Sequence, residues 1–318
     1  MTTTPAARGA HGVEALVVPQ AAASRWGGFW FASGSPTELG IFRALFAMCL
    51  VFEVETGLEM NVFALPGGYH LPYASFVPNV PESVYRALHL GQLPFIALLA
   101  VGLLARTSCT VLLALQGWLF FADRLDFRNH PWFFLLVLLL LALSPCGEGF
   151  SLRSRLRAWR GSAPIGAVPL TAQRLIQVQV SLVYLFAGLH KLNASFLGGH
   201  VLSHHLFVGL GSGLSGRVLR GVVGEPTLAS WSAALSEPGR LAALSAASAG
   251  LELFLAFALW WRPVRPVAIV AGLAFHVGIG FTMNVFAFSL AMMASYVLFP
   301  TKARRGELPL PNRSGVDD

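Results

Sequence analysis

QRLIQVQVSLVYLFAGLHK, residues 173–191, decides the fold class, because this mostly apolar run is long enough to cross a bilayer as a helix. The 318-residue chain is 55% hydrophobic and only 12% charged. Its mean hydropathy of +0.64 is typical of a membrane protein rather than a soluble domain. Comparable apolar runs cover residues 38–58, 86–105, 107–124, 132–146, 241–261, 265–281 and 283–300. We therefore predict an all-α fold, a polytopic membrane helix bundle of about eight transmembrane helices.

The basic residues predict the orientation of this bundle. In an eight-span chain with an inner N-terminus, the tails and inner loops would carry Arg8, Arg25, Arg106, Arg153, Arg155, Arg157, Arg160, Arg262, Arg265, Lys302, Arg304 and Arg305. Because positive charge is retained on the cytoplasmic side, we predict two cytoplasmic termini and a multi-pass protein of the cell's inner (plasma) membrane. The outer segment 192–240 is an exception, with three arginines. This arrangement accounts for the net charge of +7, so we expect no nucleic-acid partner.

The apolar runs divide the chain into a tail, one membrane domain and a second tail, at residues 1–37, 38–300 and 301–318. The first tail is predicted to be cytoplasmic and to end in an interfacial aromatic group, Trp26, Trp30 and Phe31. The second is basic, cytoplasmic and too short for a folded domain. The outer loops 59–85 and 192–240 are long, and such loops in a compact protein usually cover a cavity. We therefore expect any chemistry to lie in the bundle and its outer cover.

Lys191 ends the opening segment, and the sequence contains only one other lysine, Lys302. Two interpretations of Lys191 are open. A lysine at the end of a membrane helix can extend its ammonium group to water. Alternatively, dry surroundings can keep the amine neutral, so that it accepts a proton and acts as a base.

Ionisable side chains inside membrane spans are costly, and they usually face an interior cavity. In the predicted spans they are Arg43, Glu53, His130, His190, Lys191, Glu252 and His276. The predicted topology brings His130, Lys191 and His276 to the outer leaflet. We therefore predict that these three residues line one cavity, with Tyr184 and Glu252 deeper along its wall.

Simpler interpretations of the same residues remain open. His130 could be an interfacial residue beside Asn129, which would serve as a helix N-cap. His276 could be a core imidazole with its hydrogen bonds satisfied. Glu252, about midway through its span, would be either protonated or paired with Arg43 or a histidine.

One face of the span that ends at Lys191 carries small or polar residues. They are spaced by three or four positions and therefore share one side of a helix: Gln177, Ser181, Tyr184, Gly188 and Lys191. Such a face is typical of a hydrogen-bonded helix–helix interface, in which the glycine permits close approach. It is equally what the wall of a cavity leading to Lys191 would require.

The histidines and cysteines do not predict a metal centre. His200, His204 and His205 are close in sequence, but no carboxylate or cysteine completes a recognisable site around them. Three cysteines, Cys49, Cys109 and Cys146, lie in or at the ends of spans without paired spacing. We expect no metal, and we read the cysteines as small core residues.

The most distinctive stretch is LVYLFAGLHKLNASFLGG, residues 182–199. Read with FRNHPWFF, GIFRALFAMCLVFE, GLELFLAF and FHVGIGFTMNVFAFSLAMMASYVLFP, it resembles the HTTM family, whose best-known members are the vitamin K-dependent gamma-carboxylases. The resemblance covers about residues 38–300. The family's catalytic lysine, its N-N-H segment, its F-H pair and its F-S pair match Lys191, Asn129 and His130, Phe275 and His276, and Phe288 and Ser289.

In the carboxylases this lysine is thought to deprotonate vitamin K hydroquinone. Oxygenation of the resulting anion yields a stronger base, which takes a proton from a glutamate side chain so that carbon dioxide can add. The resemblance thus implies a site for a reduced quinone, with Lys191, His130 and His276 as catalytic residues. The candidates for binding the quinone or a second substrate are Asn129, Tyr184, Glu252 and Arg43.

The sequence also departs from the family pattern. His190 is the first member of the lysine doublet, Phe196 replaces a tryptophan, and Arg128 replaces the first asparagine of N-N-H. We expect no counterpart of the large extramembrane domain that handles the protein substrate in the carboxylases. The resemblance therefore implies quinol chemistry more directly than peptide carboxylation.

Two other functions remain open. The protein could be non-catalytic, with the same cavity binding a lipid or peptide during the maturation or export of a secreted peptide. A DoxX-like or haem-binding bundle has less support, because no pair of histidines faces across the membrane in the predicted topology.

Overall fold

The computed structural model describes residues 25–59, 71–73, 76–78, 80–124, 128–163, 165–209, 213–235, 237–283, 285–300 and 303–304. In this part of the chain the regular structure is helical apart from three two-residue strands, so the all-α prediction is confirmed. The helices are α1 Arg25–Trp30, α2 Thr37–Glu59, α3 Glu82–Leu90, α4 Leu93–Val101, α5 Ala105–Ala122, α6 Asn129–Ala142, α7 Leu152–Trp159, α8 Thr171–His190, α9 Ala194–Leu197, α10 His200–Gly209, α11 Gly213–Val223, α12 Glu225–Leu235, α13 Pro238–Ala258, α14 Arg265–Thr282 and α15 Phe286–Ser295. A 3₁₀ turn, Tyr296–Leu298, follows α15.

Each predicted span coincides with one helix or with two consecutive helical segments. Among the described residues, two segments are long and apolar enough to cross a membrane, Glu82–Val101 and Pro238–Ala258. Shorter apolar helices cover Asn129–Ala142, Arg265–Gly280 and Phe286–Leu298. The helices are therefore confirmed, whereas eight crossings and their orientation remain predictions.

The outward faces of the long helices are apolar. Phe186, Phe257, Val267 and Val270 are each more than 60% exposed, and they belong to three different helices, α8, α13 and α14. A soluble monomer rarely exposes so many large hydrophobic side chains on neighbouring helices. Together with the apolar segments above, this surface indicates a membrane protein.

Local sequence sets several helix ends. α13 begins at Pro238, where the missing backbone N–H has no intrahelical partner to lose. α4 ends at Val101, and the next residue, Gly102, has a left-handed φ of 73° and bonds through its N–H to the carbonyls of Leu98 and Leu99. α9 begins after Asn193, whose side chain accepts a hydrogen bond from the Phe196 N–H at 2.9 Å.

Close packing that positions the site occurs between α8 and α13. A Cβ at Gly188 would lie only 2.8 Å from Leu253 Cγ and 3.1 Å from the Leu253 backbone nitrogen. The glycine therefore allows the two helices to touch at their backbones. The rest of the core lies around α2, where Phe42 stacks on Phe46 and Phe46 packs against Phe134 of α6.

A small antiparallel sheet joins three distant parts of the chain, which the sequence did not predict. Its strands are β1 Ser33–Gly34, β2 Val168–Pro169 and β3 Ala303–Arg304, with β1 in the centre. Ser33 pairs with Pro169 on one side and with Arg304 on the other. The segment before α2, the segment before α8 and the segment after α15 therefore meet at one end of the bundle.

The segment 192–240, predicted as an outer loop, is mainly helical where it is described, and it contains α9 to α12. α11 is tied to the end of α2, because Arg217 contacts Glu59 at 2.8 Å and Glu55 at 3.4 Å. The many glycines and serines of this segment separate short helices instead of preventing them. These helices are too short to show a clear helical repeat of apolar residues, so the sequence did not predict them.

The predicted tails lie largely outside the described residues. Of the first, residues 1–24 are outside. Trp26 and Trp30 lie in α1 with their rings 5.6 Å apart, and Phe31 directly follows this helix. Of the second, only β3 is described. Most of the predicted loop 59–85 is outside as well, so the cover that it was expected to form stays a prediction.

Candidate functional site

An ion pair between α8 and α13 is the centre of the candidate site. Lys191, which directly follows α8, places Nζ 2.6 Å from Glu252 Oε1 on α13. The Lys191 side chain is 23% exposed and that of Glu252 only 6%. Lys191 Nζ also lies 3.5 Å from Ser248 Oγ, one helical turn before Glu252. The expected pairing of Glu252 with Arg43 or a histidine is wrong, because the close approach at Gly188 brings Lys191 to it instead.

Aromatic rings complete the surroundings of the ammonium group. Nζ lies 5.3 Å from the centre of the Phe196 ring and 5.8 Å from that of Phe275, within the range of cation–π attraction. A lysine that only reaches for water would extend its head group away from such contacts. Here the head group is held by a carboxylate, a hydroxyl and two rings.

A second polar group lies in the interior beside this pair. Tyr184 Oη is 2.6 Å from His276 Nε2, and the Tyr184 hydroxyl also contacts the Tyr296 hydroxyl. All three side chains are buried. The tautomer of His276 sets the direction of these bonds: either Tyr184 donates to Nε2 and accepts from Tyr296, or Nε2–H donates to Tyr184 and Tyr184 donates to Tyr296. This chain of hydrogen bonds joins α8, α14 and the 3₁₀ turn.

Tyr296 was not among the residues predicted for the site. The only signal available was a tyrosine inside an apolar span, whose hydroxyl needs a partner when it is buried. Its position depends on Gly272 of α14, since a Cβ there would collide with the Tyr296 ring and hydroxyl. This steric requirement is not visible in the sequence.

The small and polar face of α8 packs against neighbouring helices over most of its length. Gln177 donates to the Leu298 carbonyl at 2.7 Å, and Ser181 accepts from Trp260 Nε1 at 2.7 Å. Tyr184 and Gly188 make the contacts described above. This face is therefore a helix–helix interface from Gln177 to Gly188. The ion pair of Lys191 and Glu252 lies at the end of that interface.

His130 approaches the group less closely. Its ring lies 5.3 Å from that of Phe288, which is in turn 6.3 Å from the His276 ring, so Phe288 separates the two histidines. Asn129 is exposed in the first turn of α6. The suggestion that it caps this helix is wrong, because Arg128 occupies the cap position and its side chain makes no cap hydrogen bond.

Arg43 lies elsewhere. Its side chain is fully buried and donates to the carbonyl oxygens of Leu99, Ala100 and Phe150, the last at 2.7 Å. The first two carbonyls belong to the last turn of α4, where the helix itself supplies few N–H donors, and Leu99 also accepts from the Gly102 N–H. Arg43 thus caps the C-terminus of α4, at the end of the bundle where the small sheet lies. It does not contact Glu252.

No group of three or more metal-ligating side chains occurs among the described residues. His200 and His204 lie on α10. The side chain of His205 is outside the described part of the chain.

Comparison with known proteins gives one informative result. A family model described as the HTTM domain matches residues 31–303. The match includes both members of the ion pair and all three members of the buried hydrogen-bonded group. No solved structure matches the chain.

Proposed function

The chain belongs to the HTTM domain family, and from that premise we propose that it is a membrane-embedded, vitamin K-dependent carboxylase-like protein that uses a reduced quinone. Lys191 is the residue that takes a proton from the quinol hydroxyl. The observation that carries this proposal is the ion pair of Lys191 and Glu252 at 2.6 Å, in a setting that is mostly buried and partly aromatic.

The pair has the chemistry of a base. The proton between Nζ and Oε1 can move from the amine to the carboxyl group without a change in net charge. When the carboxyl group holds that proton, Nζ has a free lone pair and can accept another. Glu252 would then act as the group that orients and supports the base.

The surrounding residues fit a quinol. Phe196 and Phe275 provide aromatic surfaces next to Lys191. Glu252 Oε2 and His276 Nδ1 are buried without a hydrogen-bond partner in the described part of the protein, so each could bond to a polar group of a ligand. A bound quinol would supply an acidic hydroxyl and the capacity to react with oxygen. The protein would supply the base, hydrogen bonds and a site shielded from water.

The bundle is proposed to cross the membrane with α2, α3 and α4 together, α5, α6, α8, α13, α14 and α15 as its eight spans, with both termini inside. The sheet supports this arrangement, because β1, β2 and β3 come from three segments that the positive-inside rule assigns to the same side. Lys191 then lies toward the outer leaflet, since α8 begins beside β2 and ends at His190.

Cysteine labelling tests this orientation. Ser162, in the segment after α7, should not react with a membrane-impermeant maleimide in intact cells when it is changed to cysteine. Ser230→Cys on α12 is the matched control and should react. The native cysteines are buried, so their background should be low. Labelling of Ser162→Cys from outside would contradict the orientation.

Bound lipid provides the test of the function. Wild-type protein purified in mild detergent should release a quinone on solvent extraction, detected by mass spectrometry, and Lys191→Ala should release several-fold less. Arg240→Ala, which removes an exposed ion pair with Glu237, is the control and should match the wild type. Equal quinone in all three proteins, or another lipid or a peptide in place of quinone, would contradict the proposal.

A further inference from the structure

A polar cavity away from the candidate site lies between α2, α3, α5 and the start of α6. Its polar lining consists of Glu53, His89, Gln92, Gln116 and Arg128, and its volume is about 40 Å³. None of these residues was assigned a function above. The cavity is located at the opposite end of α2 from Arg43, which places it on the same side of the bundle as His130.

Two buried side chains in this cavity have polar atoms without partners. His89 is 7% exposed, and neither of its ring nitrogens has a hydrogen-bond partner within the described part of the chain. Gln92 is 1% exposed, and its Oε1 likewise has none. Buried polar atoms are nearly always satisfied by protein or by an ordered ligand, because leaving them unpaired is costly.

The position of the His89 ring is enforced by packing. The ring lies directly against Gly57 of α2, where a Cβ would be 2.8 Å from Nδ1 and 3.0 Å from Nε2. On its other side the ring meets Tyr85, with centres 4.6 Å apart. The imidazole therefore cannot easily turn to find another partner, and it stays in the wall of the cavity.

The charges of the cavity balance each other. Arg128 Nη2 lies 3.3 Å from Glu53 Oε1, and both side chains are largely buried, at 16% and 10% exposure. Because this pair carries no net charge, the cavity does not favour an anion or a cation. It favours a neutral guest that can donate to Gln92 Oε1 and both donate to and accept from a neutral imidazole.

We propose that this cavity binds a cluster of water molecules, about three at roughly 10–15 Å³ each. Water is the neutral guest that offers donors and acceptors in every direction and fits so small a space. Gln116 and Phe120 are only half-buried, so this water exchanges with the medium on their side. The inference goes beyond the proposed function and does not depend on a quinol.

The cavity places a hydrated region on one side of a single helical turn and a region shielded from water on the other. Arg128 and Pro131, at the start of α6, line the hydrated cavity, whereas the ring of His130 between them packs against Phe288. Beyond Phe288 lies the hydrogen-bonded group of Tyr184, His276 and Tyr296, whose hydroxyls bond to one another. The first turn of α6 is thus the partition between them.

Radiolytic hydroxyl-radical labelling of the purified protein tests the inference, because an X-ray pulse converts bound water into radicals that oxidise the nearest side chains. Tyr85 and Tyr184 form a matched pair, since both are buried tyrosines but only Tyr85 adjoins the cavity through His89. We expect oxidation of Tyr85 and His89 at rates several-fold above that of Tyr184. Equal protection of Tyr85 and Tyr184 would overturn the proposal.

A variant checks that the oxidation comes from this water. Gln92→Leu keeps a similar volume but removes the polar head, so oxidation of Tyr85 and His89 should fall several-fold. Exposed Trp159 should label as before, which shows that the radical dose is unchanged. If Gln92→Leu does not fold, Gln116→Leu at the half-buried side of the cavity replaces it. Unchanged oxidation of Tyr85 and His89 in a folded variant would overturn the proposal.

Discussion

Lys191→Arg should abolish the protein's ability to accelerate oxidation of a quinol while leaving its fold intact. Arginine keeps the positive charge and can still pair with Glu252, but its guanidinium group does not give up a proton and so cannot act as a base. A general base typically contributes about 10²–10⁴-fold to a rate. We expect a loss of that size in quinol-dependent oxygen uptake, measured with the protein in lipid nanodiscs.

The chain offers a matched control, because it has only two lysines. Lys302→Arg makes the same substitution in the predicted basic tail, and its rate should equal that of the wild type. The variants should also elute alike in size-exclusion chromatography. A fully active Lys191→Arg protein would leave only a structural role for the lysine and would favour the non-catalytic interpretation.

Lys191→Met should produce the largest change in stability, a decrease of about 3–5 kcal/mol in the free energy of unfolding. The substitution leaves the Glu252 carboxylate, which is 6% exposed, without its counter-charge at 2.6 Å. Unfolding in mixed micelles with increasing SDS, followed by tryptophan fluorescence, measures the difference. Arg240→Met is the control for loss of an ion pair, because the Arg240–Glu237 pair is more than half exposed and should contribute little.

A double variant separates charge from packing. Lys191→Met with Glu252→Leu replaces the pair by apolar groups, and such a replacement is often close to neutral in stability. We therefore expect it to recover most of the stability lost in Lys191→Met. If the double variant is as unstable as the single one, the contribution of Lys191 comes from packing of its methylene chain rather than from the charge pair.

The composition and the apolar runs determined the all-α fold, because a helix is the only open-ended structure that satisfies its own backbone in hydrocarbon. Polar side chains inside an apolar span are energetically costly. Lys191, Glu252, His276 and Tyr184 could therefore be recognised from the sequence alone as candidate site residues. The small and polar face of α8 was also readable, since helical period alone places residues three and four apart on one side.

Partner choice was decided only by tertiary structure. Glu252 pairs with Lys191 and not Arg43, and Tyr296 joins Tyr184, because Gly188 and Gly272 set how closely the helices approach. Arg43 looked like a site residue but satisfies carbonyls of α4 and of Phe150. The helical period shows which residues share one side of their own helix. It contains no information on how neighbouring helices are rotated or how far they are shifted along their axes. Contacts between side chains of different helices depend on both.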